Sequence, residues 1–195
     1  MSAVIGWAAT SSALTTTFST GFEGWTQTSG VTHQVAGGNL GGHLQFADSG
    51  PANGGQIVAP NTYLGNWLTS YGANGTFSLD YRVVRAGVFM PFPMGVTITG
   101  TSGSMSHSFP GNFTAAFGWT NWSSALNANT WSVSGNLNSI LGNVTEVRVF
   151  MPCSSDALEI TGVDNISVAA VPEPASALAF AGFALVLLKG GRRRR

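Results

Sequence analysis

The chain has 195 residues, a formal net charge of zero and only 8% charged side chains. That neutrality hides an imbalance: residues 1–170 hold three arginines (Arg82, Arg85, Arg148), no lysine and seven acids, a formal balance of −4. An acidic body with no lysine offers no basic patch to a phosphate backbone, which argues against nucleic acid as a partner.

A body of roughly 150 residues suits one domain. Cys153 is the single cysteine, so no internal disulfide forms. It stands beside the apolar run 147–151 and has no motif that supplies a base, so a buried, inert thiol is expected.

In chain order, residues 1–17 form an uncertain N-terminal segment. It has apolar and small residues near Ala13 but no Lys or Arg. It reads either as a degenerate secretory leader or as a start placed downstream of the true one. The body, residues 18–170, is dense in Gly, Ser, Thr and Asn with aromatic and β-branched residues between them, and no stretch sustains a helical period. Alternating or continuously apolar runs at 43–46, 76–84, 95–99, 131–133, 144–151 and 166–168 predict strands. Gly37-Gly38, Asn53-Gly54, Asn74-Gly75 and Pro110-Gly111 mark turns between them. Short strands with frequent turns predict an all-β, antiparallel sandwich or jelly roll.

Nothing in the body spells out catalysis. His33, His43 and His107 lack the spacing of a zinc motif, and no nucleophile elbow occurs. His43 falls in a predicted strand; His33 and His107 read as surface positions. Asp48, Asp80 and Glu159 would serve glycoside hydrolysis only if folding brought two of them together. The aromatic residues are the other ligand signal: Trp67, Trp119 and Trp122 fall in or beside loop-like sequence, where exposed indoles stack on sugar faces.

The end of the chain has a distinct composition. Residues 171–195 read VPEPASALAFAGFALVLLKGGRRRR. Pro172 and Pro174 keep Glu173 in an extended peptide. Residues 175–188 are uncharged and partition into hydrocarbon, predicting a short apolar transmembrane helix. Lys189, Arg192, Arg193, Arg194 and Arg195 form a basic tail (189–195) that stays cytoplasmic. At 14 residues the apolar run is shorter than the roughly 20 that span a bilayer, as suits a processed anchor. The three parts together resemble the PEP-CTERM sorting signal. That resemblance implies recognition of Pro172-Glu173-Pro174 by an exosortase, transient membrane anchoring, and delivery to the bacterial envelope, then to the cell surface or medium.

The body has a resemblance of its own. Gly21-Phe22-Glu23-Gly24-Trp25 is followed by GNLGGHLQFAD (38–48) and APNTYLGNWLTSYGANGTFSLDYRV (59–83). Trp131-Ser-Val, ILGNVTEVRVF (140–150) and Gly162-Val163-Asp164-Asn165-Ile166 come after. This succession resembles the laminin B, or laminin IV type A, domain across residues 20–168. Phe150-Met151-Pro152-Cys153 departs from the family pattern. The resemblance implies a galactose-binding-like jelly roll serving adhesion or carbohydrate binding rather than catalysis. It also implies neighbouring first and last strands, which would bring Glu23 to Asp164, with Asp48 as a third carboxylate, in an oxygen cage for structural Ca²⁺. Exopolysaccharide is the expected partner. A structural surface protein without saccharide affinity and a polysaccharide hydrolase are the alternatives.

Overall fold

The computed structural model describes residues 12–28, 30–48, 54–85, 94–109, 116–151 and 159–171. The strands are β1 (Ala13–Thr16), β2 (Thr26–Gln27), β3 (Val31–Gly38), β4 (Gly41–Ala47), β5 (Gln56–Val58) and β6 (Thr76–Arg85). They continue with β7 (Gly95–Gly100), β8 (Gly103–Ser108), β9 (Ala116–Ala125), β10 (Ser132–Gly135), β11 (Val144–Phe150) and β12 (Ile160–Ala169). Two short helices, α1 (Trp67–Tyr71) and α2 (Leu137–Gly142), start at Asn66 and Asn136. Each of these side chains accepts the backbone N–H three residues on.

The strands form two six-stranded sheets. The first runs β3-β4-β12-β6-β9, with β1 pairing the far half of β12; the second runs β10-β8-β7-β11-β5-β2. Every pairing is antiparallel. The expected antiparallel jelly-roll sandwich is the observed fold, and each predicted strand run overlaps an observed strand, with Trp131 and Met151 just outside β10 and β11. Its first strand begins at Ala13, upstream of the body's expected start at residue 18.

Period-two alternation gives each sheet its apolar inner face. Leu44, Phe46, Phe77, Leu79 and Val163 from the first sheet meet Ile57, Val96, Ile98, Met105, Val147 and Val149 from the second in one buried cluster. At roughly 25 cal/mol per Å² of apolar surface removed from water, this cluster dominates the stability. Residues 59–66, the start of one of the strings quoted above, work here as a brace. The buried Tyr63 hydroxyl donates to the Ile166 carbonyl at 2.7 Å and lies 2.9 Å from the Thr16 hydroxyl, tying the segment to β12 and β1. Burial pushes the Tyr63 phenol up to about 12.

The glycines of residues 38–42 have a steric role. A Cβ on Gly38 would collide with the Gly42 carbonyl, and one on Gly42 would collide with the Phe18 carbonyl. Only glycine lets the β3–β4 hairpin close this tightly.

Candidate functional site

The second sheet turns a polar face to solvent, and its register sets out which side chains share that face. One cross-strand row runs Ser108 (β8), Gly95 (β7), Phe150 (β11) and Gln56 (β5). The next runs Ser132, Ser106, Thr97, Arg148 and Val58. A third holds Ser134, Ser104, Thr99 and Glu146. The sequences GVTITG, GSMSHS and VTEVRVF generate these rows: their apolar members turn inward, so their hydroxyls and charges turn outward.

The first row is where the face becomes concave. Gly95 contributes no side chain between Ser108 and Phe150, and a Cβ there would lie 3.0 Å from the His107 carbonyl. A cleft of about 410 Å³ opens over it, lined by Gln56, Gly95, Thr97, Ser106, Ser108 and Phe150 among others. The half-buried Phe150 ring offers an apolar face inside a rim of hydroxyls and one carboxamide. Arg148 sits in the adjacent row, with Nη1 donating to Gln56 Oε1 (3.0 Å) and Nη2 to Glu146 Oε2 (2.9 Å). An aromatic face ringed by hydrogen-bonding groups suits a ligand with apolar C–H faces and many hydroxyls.

The first sheet carries the other polar cluster, on the face away from the core. Asn121 Nδ2 donates to Asp80 Oδ1, while Asn39 Nδ2 and Asn165 Nδ2 both donate to Asp80 Oδ2, each at 2.7 Å. Asp164 accepts the backbone N–H groups of Asn39 (2.8 Å) and Asn165 (2.7 Å). Burial pushes the Asp164 carboxyl up to about 6; its two N–H bonds lower it, and the charges of Asp80 and Glu23 add to the rise. This network pins the tip of the β3–β4 hairpin to β6 and β12. Beside it, Arg82 Nη2 donates to His43 Nε2 at 2.9 Å, and the guanidinium lies 4.9 Å from the Trp119 ring centroid. Burial, then the Arg82 charge, holds His43 down at about 4. Burial also lowers Arg82.

The expected site residues are dispersed across this architecture. Trp119 and Trp122 are three residues apart on one strand, so they face opposite sides of the sheet. Trp119 joins Arg82 and His43 on the outer face, its indole N–H donating to the Gly37 carbonyl at 3.1 Å. Trp122 turns inward, with its ring centroid 4.3 Å from Phe109 and 4.7 Å from His107. Trp67 is buried in α1 and donates to the Tyr63 carbonyl at 2.7 Å, so neither Trp67 nor Trp122 forms an exposed platform. His107, expected at the surface, stands on the inner side of β8 beside Trp122 and Trp131. His33 is likewise half-buried, its Nε2 bonded to the Phe18 carbonyl at 2.7 Å.

The three carboxylates expected around calcium are not gathered into one group. First and last strands do pair, and Glu23 lies near enough to raise the Asp164 pKa. Glu23 is nevertheless exposed and accepts the Thr20 N–H at 3.3 Å, while Asp48 lies past the other end of β4, bonded through its backbone to Glu159. Among the described residues no three His, Cys, Asp or Glu side chains are grouped to hold a metal. Cys153, Pro172, Glu173, Pro174, the apolar run 175–188 and the basic tail lie outside the described residues. Among those described, no helix is long and apolar enough to cross a membrane.

The fold is an antiparallel jelly roll of the kind seen in solved carbohydrate-binding modules. The laminin B (domain IV) family model matches residues 56–179, and the chain belongs to that family. The family 11 carbohydrate-binding module of the cellulosomal cellulase Lic26A-Cel5E of Clostridium thermocellum is similar in structure, with a TM-score of 0.57 at 16% identity. The match covers 84% of this chain and 97% of that one. A family 11 module from the same organism, in complex with a β-1,3-1,4-mixed-linked tetrasaccharide, matches with a TM-score of 0.50 at 14% identity, over 89% and 96% of the two chains. An exo-β-agarase gives a TM-score of 0.56 at 12% identity, over 83% of this chain and 25% of that one. No curated protein sequence matches the chain.

Proposed function

We propose that this protein is an exported, non-catalytic polysaccharide-binding module whose ligand lies in the cleft of the second sheet. The carrying observation is the cleft itself: Phe150 beside the bare backbone of Gly95, rimmed by Gln56, Thr97, Ser106 and Ser108. A sugar ring stacked on Phe150 would bury its C–H face and leave its hydroxyls at the rim. That stacking is worth about 1–2 kcal/mol, or roughly five- to thirty-fold in affinity. Support comes from a family 11 module of similar fold solved in complex with a mixed-linked tetrasaccharide. Trp119 is a secondary candidate for sugar contact, since it alone of the three expected tryptophans lies on an outer face with an incompletely buried ring.

The C-terminal segment supplies the address in this reading. The resemblance of residues 171–195 to PEP-CTERM signals supports insertion of 175–188 in the membrane, a stop at the basic tail, and exosortase processing near Pro172-Glu173-Pro174. The freed sandwich then joins exopolysaccharide at the bacterial cell surface.

Co-sedimentation with mixed-linkage β-glucan and with the host's own exopolysaccharide tests the binding claim. Saturable binding that falls at least five-fold in Phe150→Ala is expected; a folded protein that binds neither polymer contradicts the reading. The address is tested separately. Replacing Glu173 with Gln should leave an uncut, membrane-retained form, and unchanged release would refute the sorting assignment.

A further inference from the structure

The face that holds the cleft carries one ion pair, and its geometry bears on which sugars the cleft accepts. Glu146, Arg148 and Phe150 alternate along β11 and so project from the same side. Arg148 is held at both ends of its guanidinium, by Glu146 Oε2 at 2.9 Å and by Gln56 Oε1 at 3.0 Å. A guanidinium has only donors, so the Gln56 atom facing it is the carbonyl oxygen. The other arm of that carboxamide, Nε2, is therefore a donor, and Gln56 lines the cleft.

Glu146 thus has two effects at a distance from the cleft floor. It cancels the charge of Arg148, and it fixes the guanidinium in the position that orients Gln56. Arg148 and Glu146 are the charged members of the three rows; the rest are Ser, Thr, Gln, Val, Phe and Gly. With the pair closed, these three rows present no net charge. A carboxylated sugar would lose its hydration, meet a guanidinium already neutralised, and feel the Glu146 carboxylate beside it. The body's balance of −4 acts in the same direction.

We propose that Glu146, acting through Arg148 and Gln56, makes the cleft selective for an uncharged polysaccharide, which supplies an oxygen acceptor to Gln56 Nε2. Glu146 is a positioning and charge-setting residue here, not one that touches the ligand. The inference rests on the polysaccharide reading of the cleft, and its test separates the two.

The probes are mixed-linkage β-glucan and a carboxymethylated preparation of the same polymer, so that backbone shape is held constant. Affinities for the full chain are read by affinity electrophoresis at about 20 mM and about 300 mM salt, a range over which exposed charge interactions are screened. The wild type is expected to favour the neutral polymer at least ten-fold. Glu146→Gln leaves Arg148 unneutralised, so the preference should shrink to within about three-fold and become salt-sensitive. Arg148→Met leaves Glu146 unneutralised, so the preference should widen. A purely structural role would not move the ratio in opposite directions. Both side chains are about one-third exposed, and solvent-screened pairs of this kind contribute little to stability, so both variants should fold; circular dichroism melts check this. Equal wild-type binding of the two polymers overturns the selectivity alone, as does a ratio that the variants leave unmoved or shift the same way. Wild-type binding of neither polymer overturns the cleft reading, and the selectivity with it.

Discussion

His43 and Asp164 neighbour each other on the outer face of the first sheet and have opposite linkage to pH. The His43 imidazole has a folded pKa of about 4 against an ordinary 6.5. As pH falls from 6.5 to 4 the unfolded chain takes up a proton that the folded state refuses, and stability is lost. Asp164 stands at about 6 when folded against an ordinary 3.8. Between those values the folded state keeps a proton that the unfolded chain has released, so stability falls as pH rises. The two effects oppose each other, and the wild type should have a flattened stability profile between about pH 4 and 6. In His43→Gln, which keeps an acceptor for Arg82, the Tm relative to wild type should climb as pH falls from 6.5 towards 4. Thermal melts in matched buffers measure this. A Tm difference that stays constant with pH would show that His43 titrates normally.

At the scale of elements, the β3–β4 hairpin explains both what the sequence discloses and what it conceals. The string Gly38-Asn39-Leu40-Gly41-Gly42 is visible as a turn, and its glycines are required by the close approach of the two strands. Its partners are not visible, because Asp80, Asp164 and Asn165 come from strands far along the chain. Gly38→Ala should cost about 2–4 kcal/mol, a fall in Tm of roughly 5–15 °C, because its Cβ would press on backbone and come within 2.8 Å of Asp164 Oδ2. Gly142→Ala is the control. Its Cβ would meet only the end of Leu68, at 3.9 Å, so Tm should stay the same or rise slightly. Equal behaviour of the two variants would contradict the steric account.

The strands show the same division between legible and hidden. Runs such as 76–84 and 144–151 announce themselves by apolar content, whereas β8 hides because its outward positions are all serine and read as loop. The inward Met105 and His107 at period two were its one signal. β9 reads as loop for a related reason: Trp119 and Trp122 look like a pair until strand geometry sends them to opposite faces. The three carboxylates expected to share a calcium ion are dispersed. Strand adjacency was right, but Asp164 is satisfied by backbone N–H groups and Glu23 by a turn.

At the scale of the molecule, the family strings and the candidate site occupy different places. Residues 38–42, 59–66 and 162–166 brace the hairpin, β1 and β12, so the resemblance conveys the fold and says little about the ligand. The cleft is built from Gln56, Gly95, Thr97, Ser106, Ser108 and Phe150, which no motif joins. Only the register of β5, β7, β8 and β11 assembles them, and register is a long-range property. Phe150 left a trace in the sequence, as the start of the segment that departs from the family pattern. The sorting signal proposed for residues 171–195 is read from their composition and order, without reference to the sandwich.

The most direct test of the central claim is backbone amide chemical-shift mapping during titration with a mixed-linked β-glucan tetrasaccharide. Shifts concentrated at Gln56, Gly95, Thr97, Ser106, Ser108 and Phe150, and lost in Phe150→Ala, are the predicted result. Shifts confined to the first sheet around Arg82 and Trp119, or none at saturating oligosaccharide, would contradict it.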